Sequence, residues 1–200
     1  MTDFLFDPYN ATDMERDQND LELFLLFCIF VAGKKATMIA KKLQELMIAS
    51  NKQGTPLEKL YALWKENKLI DVLKEVKMGK YSIFTKTFDY IFNHPIDLRT
   101  CSVQDLEKIP GISHKTSRFF LLHSRKNVNV AVIDTHMLKC LKDLGYENIP
   151  NTIPKNKEYY HIENIILNIC KEKKLSPQNF DLSVWTWYSK GNKGIPDFLK

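Results

Sequence analysis

The sequence predicts an all-α protein. Only seven glycines occur in 200 residues, helix formers are spread along the whole chain, and few runs alternate apolar with polar residues as half-buried strands do. An apolar content of 44% is enough for one compact core or for two small helical lobes.

Residues 1–20 are acidic, spotted with aromatics and without period, and read as an extended arm. Asp20 is then placed to N-cap an apolar helix, Leu21–Ala32 ("LELFLLFCIFVA"). That stretch is too short to span a bilayer and reads as buried. Gly33 and the pair Lys34–Lys35 interrupt it, and "ATMIAKKLQELM" resumes a 3.6-residue period. Thr55 and Pro56 stand as N-cap and first residue of a helix through Trp64. Helices follow around Leu69–Val76 and Tyr81–Phe92, the second ended by "NHP". Gly145–Pro154 reads as a linker, and the chain closes on helices through Tyr159–Lys173 and near Phe180–Ser189. No internal repeat is visible.

Charge and cysteine usage narrow the function classes. Residues 1–22 carry a net charge of −6, so residues 23–200 carry +11. A surface of that sign attracts a polyanion, and inside a cell that is nucleic acid. A lysine-rich solvated surface is the plainer alternative, since 25 of the 29 basic residues are lysine. Cys28, Cys101, Cys140 and Cys170 are widely spaced without a C-x-x-C pair, which argues against a zinc ribbon or an iron–sulfur cluster. No charged-then-apolar leader opens the chain, so an intracellular protein is expected.

The segment "SVQDLEKIPGISHKTSRFFLL" carries the chemistry. Ser102 can cap a short helix ending near Ile109, Pro110–Gly111 can reverse the chain, and Ser113 can cap a second helix. The hairpin then presents the unsatisfied N–H groups of a helix start, which suit one phosphate. Such contacts hold DNA without reading its sequence.

In "IPGISHKT" (Ile109–Thr116), followed by "VIDTH" (Val132–His136), the chain resembles the helix-hairpin-helix DNA glycosylases, and within them the short, cluster-free 8-oxoguanine enzymes of archaeal and thermostable type. The resemblance implies a two-lobed helical fold over residues 21–200, with an active site in the interlobe cleft and the hairpin and catalytic segment at 102–145. It implies a DNA glycosylase with AP lyase activity that removes 8-oxoguanine from duplex DNA. Lys115 matches the lysine that attacks the sugar C1′, and Asp134 the catalytic aspartate. Pro110, Gly111, Ile112, Ser113, His114, His136 and Arg118 match positions that lie against DNA, and Trp185, Tyr188 and Lys200 are the candidate base pocket. No cofactor is expected beyond a potassium or sodium ion among hairpin carbonyls such as those of Ile109 and Ser113. The expected partner is a damaged duplex, bound by a monomer without a membrane.

Each of these residues also has a plainer reading. Lys115 can be a solvated helix-start lysine, Asp134 only an N-cap, and His136 a structural ring. Arg118, Arg125 and Lys126 can form a solvated face, and Trp185 with Tyr188 the buried stripe of an amphipathic helix. Two positions depart from the family pattern. Ser113 stands where many relatives have a second hairpin glycine, and "FVAGKKAT" (Phe30–Thr37) lacks the glutamine or asparagine that relatives place there to fill the gap left by a flipped base. Other activities compatible with the scaffold are excision of an oxidised pyrimidine, thymine hypermodification of the viral type, and DNA binding without catalysis.

Overall fold

The computed structural model describes residues 5–200 and is helical wherever it is regular. Ten α-helices follow one another: α1 (Gln18–Val31), α2 (Ala36–Ala49), α3 (Pro56–Lys65), α4 (Leu69–Glu75), α5 (Tyr81–Asn93), α6 (Val103–Glu107), α7 (His114–Ser124), α8 (Thr135–Asp143), α9 (Asn156–Glu172) and α10 (Pro177–Ser189). A single 3₁₀ turn, Asp197–Leu199, ends the chain. The chain divides into two compact units, 1–120 and 121–200. No helix among the described residues is long and apolar enough to cross a membrane.

In the first unit α1 is the centre, and every residue from Leu21 to Phe30 is buried. A helix that is apolar on all sides must be surrounded. Its one buried acid, Glu22, is satisfied by the Leu57 N–H at 2.8 Å and the Gln18 amide at 2.8 Å, so α1 completes the first turn of α3. The helix begins earlier than the sequence suggested. Asp17, rather than Asp20, is the N-cap, and it accepts from the Asp20 N–H at 2.9 Å. Two acids three apart both suit a cap, and the tertiary contacts before Asp17 decide between them. The expectation of an extended arm is also corrected over residues 5–16, whereas Met1–Phe4 lie outside the described residues. Phe6 is buried, with ring centroids 5.5 Å from Phe24 and 4.3 Å from Phe27. The Arg16 guanidinium sits 4.1 Å from the Phe24 ring centroid and donates to the Asp13 and Ala11 carbonyls at 2.6 Å. Apolar and cation–π contacts thus hold an otherwise acidic segment on α1.

The helix-hairpin-helix closes this unit. Ser102 and Asp105 form a capping box that starts α6. Residues Ile109–Ile112 make a tight turn, the Ile112 N–H donating to the Ile109 carbonyl at 3.0 Å. With Pro110 second and Gly111 third at φ +91°, this is type II turn chemistry. A Cβ on Gly111 would lie 2.9 Å from Ile83 and 3.1 Å from Thr87, so α5 leaves no room for a side chain there. Thr87 fastens the turn by donating to the Pro110 carbonyl at 2.6 Å.

Glu107, the last residue of α6, binds the whole hairpin together. Its Oε1 accepts from the Ser117 hydroxyl at 2.9 Å and from the Arg118 guanidinium, and it meets His114 Nδ1 at 2.8 Å. Burial pushes the Glu107 carboxyl up, but hydrogen bonds from His114, Ser117 and Arg118 outweigh it and hold the group below its ordinary value.

The second unit packs α8 and α9 against α10 around Met137, Leu141, Ile162, Ile166, Phe180 and Val184. His123, in the last turn of α7, is buried with Nε2 2.9 Å from Asp181 of α10. Residues 128–134 run extended without a strand partner, yet Ala131, Val132 and Ile133 are buried. Side chains of α9 supply the missing backbone partners. Glu163 accepts from the Ala131 N–H at 3.0 Å, and the Tyr159 hydroxyl accepts from Ile133 N–H at 3.1 Å while donating to the Ala131 carbonyl at 3.2 Å.

Two stability predictions arise here. Glu107→Ala removes the carboxylate that meets buried Arg118 as well as His114 and Ser117 and should cost about 3 kcal/mol in urea unfolding, whereas a surface control such as Glu45→Ala should cost little. Because the folded carboxyl is held low, the Glu107 contribution is complete above the unfolded carboxylate value and disappears as pH falls through the lowered one. The wild-type advantage over Glu107→Gln should therefore shrink in acid. Tyr159→Phe removes one hydroxyl and strands two buried backbone groups, so a loss of about 1–3 kcal/mol is expected, read as an earlier denaturant midpoint.

Candidate functional site

Lys115 is the second residue of α7, one turn past the hairpin. It is half-buried. Among the described residues its ammonium makes no hydrogen bond or ion pair. It lies close enough to buried Cys28 of α1 to act on it electrostatically: burial pushes the Cys28 thiol up, and Arg16 and Lys115 draw it back down. The sequence reading of a cation at a helix start therefore holds geometrically. A lysine beside the positive end of a helix and without a carboxylate partner is a strained choice for structure alone.

The hairpin residues fall where the motif put them. Gly111 and Ser113 are exposed, Pro110 is half-buried and Ile112 turns inward to the core. Ser113 caps α7, its Oγ accepting from the Thr116 N–H at 3.3 Å and its carbonyl from the Ser117 N–H at 3.0 Å. Of the hairpin residues only Gly111 has a positive φ, so Ser113 stands where no glycine is required. The carbonyls of Ile109 and Ser113 each accept one backbone hydrogen bond, which leaves each a lone pair for a hard cation.

Arg118 corrects the sequence reading. It is 2% exposed and spends its charge on Glu107, with further contacts to the His114 carbonyl and the Ser117 hydroxyl at 3.3 Å each. The guanidinium braces the hairpin from inside in place of the expected phosphate contact, because the acid that ends α6 lies beside it. His114 is similarly engaged through Nδ1.

Asp134 N-caps α8, its Oδ1 accepting from the Met137 N–H at 2.8 Å. The second oxygen has no hydrogen-bond partner among the described residues. Capping and an available carboxylate oxygen coexist in one side chain. The aspartate is aimed by the extended segment before it, and therefore by Tyr159 and Glu163. Sequence reading missed both, since a tyrosine and a glutamate about thirty residues downstream give no local signal. His136, half-buried, stacks on Tyr188 with centroids 6.3 Å apart.

The candidate base pocket is only partly what the sequence suggested. Tyr188 is core rather than a stacking surface: it is 5% exposed, and its hydroxyl donates to Asp143 at 2.8 Å. Burial and then Asp143 push its pKa well up. Trp185 is half-buried, and Lys200 is exposed and pairs with Asp197 at 2.7 Å. A cavity of about 430 Å³ opens on another face of α10, lined by Ser183, Thr186, Trp187, Lys190, Asn192 and Phe198 among others. The three expected pocket residues do not line it. Among the described residues no group of three or more His, Cys, Asp or Glu side chains could hold a metal ion.

Comparison with known proteins gives a consistent result. A helix-hairpin-helix family model described as 8-oxoguanine DNA glycosylase matches residues 3–175. A Fusobacterium nucleatum protein named 8-oxoguanine DNA glycosylase/AP lyase is 28% identical over 175 residues, covering 83% of this chain and 78% of its own. One of the same name from Thermotoga maritima is 25% identical over 183 residues, covering 90% and 85%. The enzyme of that name from Methanocaldococcus jannaschii is 37% identical over 84 residues, so the aligned part spans 40% of this chain and 38% of that protein. Among solved structures, the Methanocaldococcus jannaschii 8-oxoguanine glycosylase/lyase in complex with a 15mer DNA containing 8-oxoguanine matches with a TM-score of 0.66 at 20% identity, over 92% of this chain and 88% of that one. That likeness shows a shared fold, and the family model, which takes in the hairpin, Lys115 and Asp134, shows the lineage. The chain belongs to the helix-hairpin-helix family of 8-oxoguanine DNA glycosylases.

Proposed function

We propose that this protein excises 8-oxoguanine from duplex DNA and then cleaves the abasic strand, with Lys115 as nucleophile and Asp134 as the electrostatic partner of the departing base. The observation that carries the reading is the half-buried Lys115 at the start of α7, its ammonium without a carboxylate partner among the described residues. The names of the relatives supply the substrate class.

The chemistry uses the chain's own groups. The hairpin N–H groups grip a backbone phosphate, and the target nucleotide leaves the stack at a cost of a few kcal/mol. As the bond between base and C1′ breaks, its electron pair leaves with the base and positive charge grows on the sugar, which the Asp134 carboxylate stabilises. The departing base takes up a proton from the Lys115 ammonium, and the amine so formed bonds to C1′, passes a proton to the ring oxygen as the sugar opens, and yields a protonated imine. Loss of a C2′ proton then expels the 3′ phosphate, and water releases the lysine. A potassium or sodium ion at the Ile109 and Ser113 carbonyls would add positive charge where the phosphate binds. The protein works as a monomer inside the cell, where its DNA substrate lies.

Strand nicking and base release on a duplex with one 8-oxoguanine test this reading. Lys115→Gln should lose nicking by at least about a thousandfold while still binding the duplex. Asp134→Asn keeps a competent N-cap, so its unfolding midpoint should hold while base release slows by about 10²–10³. Unchanged nicking by Lys115→Gln, or base release from none of a panel of damaged duplexes by the wild type, would contradict the assignment.

A further inference from the structure

The loops that follow α1 and α4 exchange lysines. Lys34, from the first, donates to the Met78 carbonyl of the second at 2.5 Å, and Lys80, from the second, donates back to the Ala32 carbonyl at 2.5 Å. Lys42 of α2 joins them by donating to the Lys77 carbonyl. Each loop turns on a glycine, Gly33 at φ +71° and Gly79 at φ +74°. The opposing ammonium lies over that glycine, with Lys80 Nζ 3.7 Å from where a Gly33 Cβ would be and Lys34 Nζ 3.9 Å from a Gly79 Cβ. The two turns are thus built so that the ammoniums converge. Among the described residues no carboxylate pairs with Lys34, Lys42 or Lys80. Burial, then Lys80 and Lys42, push the Lys34 pKa down.

Capping α1 at Ala32 and tying down the loop after α4 explain one hydrogen bond per lysine, and Lys34 also lies 5.2 Å from the Phe84 ring centroid. An ammonium has three N–H donors, so the cluster retains donors and a concentrated positive charge. The same spot receives the starts of α2 and α5. Their N-caps are Lys35 and Lys80, neither makes a side-chain cap bond, and neither helix has an acid in its first turn. Lys68 and Lys155 also start α4 and α9 without a side-chain cap bond, but those helices carry Asp71 and Glu158 in their first turns, and Asp17, Thr55, Ser102, Asp134 and Ser176 cap theirs with an acceptor oxygen. Lysine is a poor N-cap, because it lacks an acceptor and carries the wrong sign for the helix dipole.

We propose that Lys34, Lys42 and Lys80 form a second phosphate-binding site, which holds the backbone of the bound DNA at a point distinct from the hairpin. The inference rests on the DNA-repair reading above. α5 links the two grips: it starts beside Lys80, and Thr87, seven residues on, fastens the Pro110 carbonyl. Seven residues of helix rise about 10 Å, close to the axial spacing of about three phosphates on one DNA strand. A rigid helix of that length sets two contacts on one backbone in register.

The test is the salt dependence of duplex binding, followed by fluorescence anisotropy with an 8-oxoguanine duplex. The triple variant Lys34→Gln, Lys42→Gln, Lys80→Gln should flatten the slope of log Kd against log salt by about 0.9 or more, the equivalent of at least one phosphate contact. A control with the same charge change, Lys41→Gln, Lys74→Gln, Lys171→Gln, should flatten it by less than half as much. Equal flattening in the two triples would overturn the inference, as would a lower melting temperature with the wild-type slope, the outcome for lysines that only cap helix ends. An acetylation footprint on the wild-type protein decides the matter without variants: duplex should protect Lys34, Lys42 and Lys80 more than Lys41 and Lys74, and equal protection would count against the site. Failure of the DNA-repair reading looks different, since the wild type itself would then bind duplex weakly and without steep salt dependence.

Discussion

A single carboxylate at the end of a five-residue helix organises the hairpin and the start of the helix that carries Lys115. Glu107 gathers His114, Ser117 and Arg118 from the first two turns of α7, so the direction of that helix is set relative to α6. A helix as short as α6 has little stability of its own. Its capping box and this ionic clamp stabilise it instead. Thr87 holds Pro110–Gly111 against α5, and the clamp ties together the helices that precede and follow that turn. Lys115 is carried by the first turn of α7, between His114 and the Thr116–Ser117 pair, and its direction follows from this arrangement.

Asp134 is positioned by a different device with the same logic. Its approach segment is extended and buried, so its backbone groups need partners that no neighbouring strand provides. Tyr159 and Glu163 provide them from α9. The aspartate then turns the chain into α8 by capping it. One oxygen is used in the cap, and the other has no hydrogen-bond partner among the described residues. Two polar side chains buried under the segment that leads to Asp134 are a costly arrangement for a fold, and they fix where its carboxylate stands.

Helix ends were the most legible feature of the sequence, since cap residues act locally. Thr55–Pro56, Ser102, Ser113 and Asp134 all start helices where their chemistry placed them. The hairpin, and the places of Lys115 and Asp134 at the starts of α7 and α8, were legible for the same reason. What escaped was long-range. Nothing near Arg118 announces that Glu107, eleven residues earlier, takes its charge inward. Tyr188 reads the same in a base pocket as in a core until Asp143 is found against its hydroxyl. Asp17 and Asp20 offer the same cap chemistry, and the choice between them follows from Phe6 and Arg16 packing on α1. The exchange between Lys34 and Lys80 spans 46 residues, and no period or motif connects them.

The central claim is that the Lys115 amine forms the covalent bond to the sugar. Borohydride reduction of the reacting complex on an 8-oxoguanine duplex, followed by proteolysis and mass spectrometry of the adduct, reads that bond directly. The account predicts one cross-linked peptide, with the deoxyribose remnant on Lys115. A remnant on another residue, or no adduct while 8-oxoguanine is still released, would contradict it.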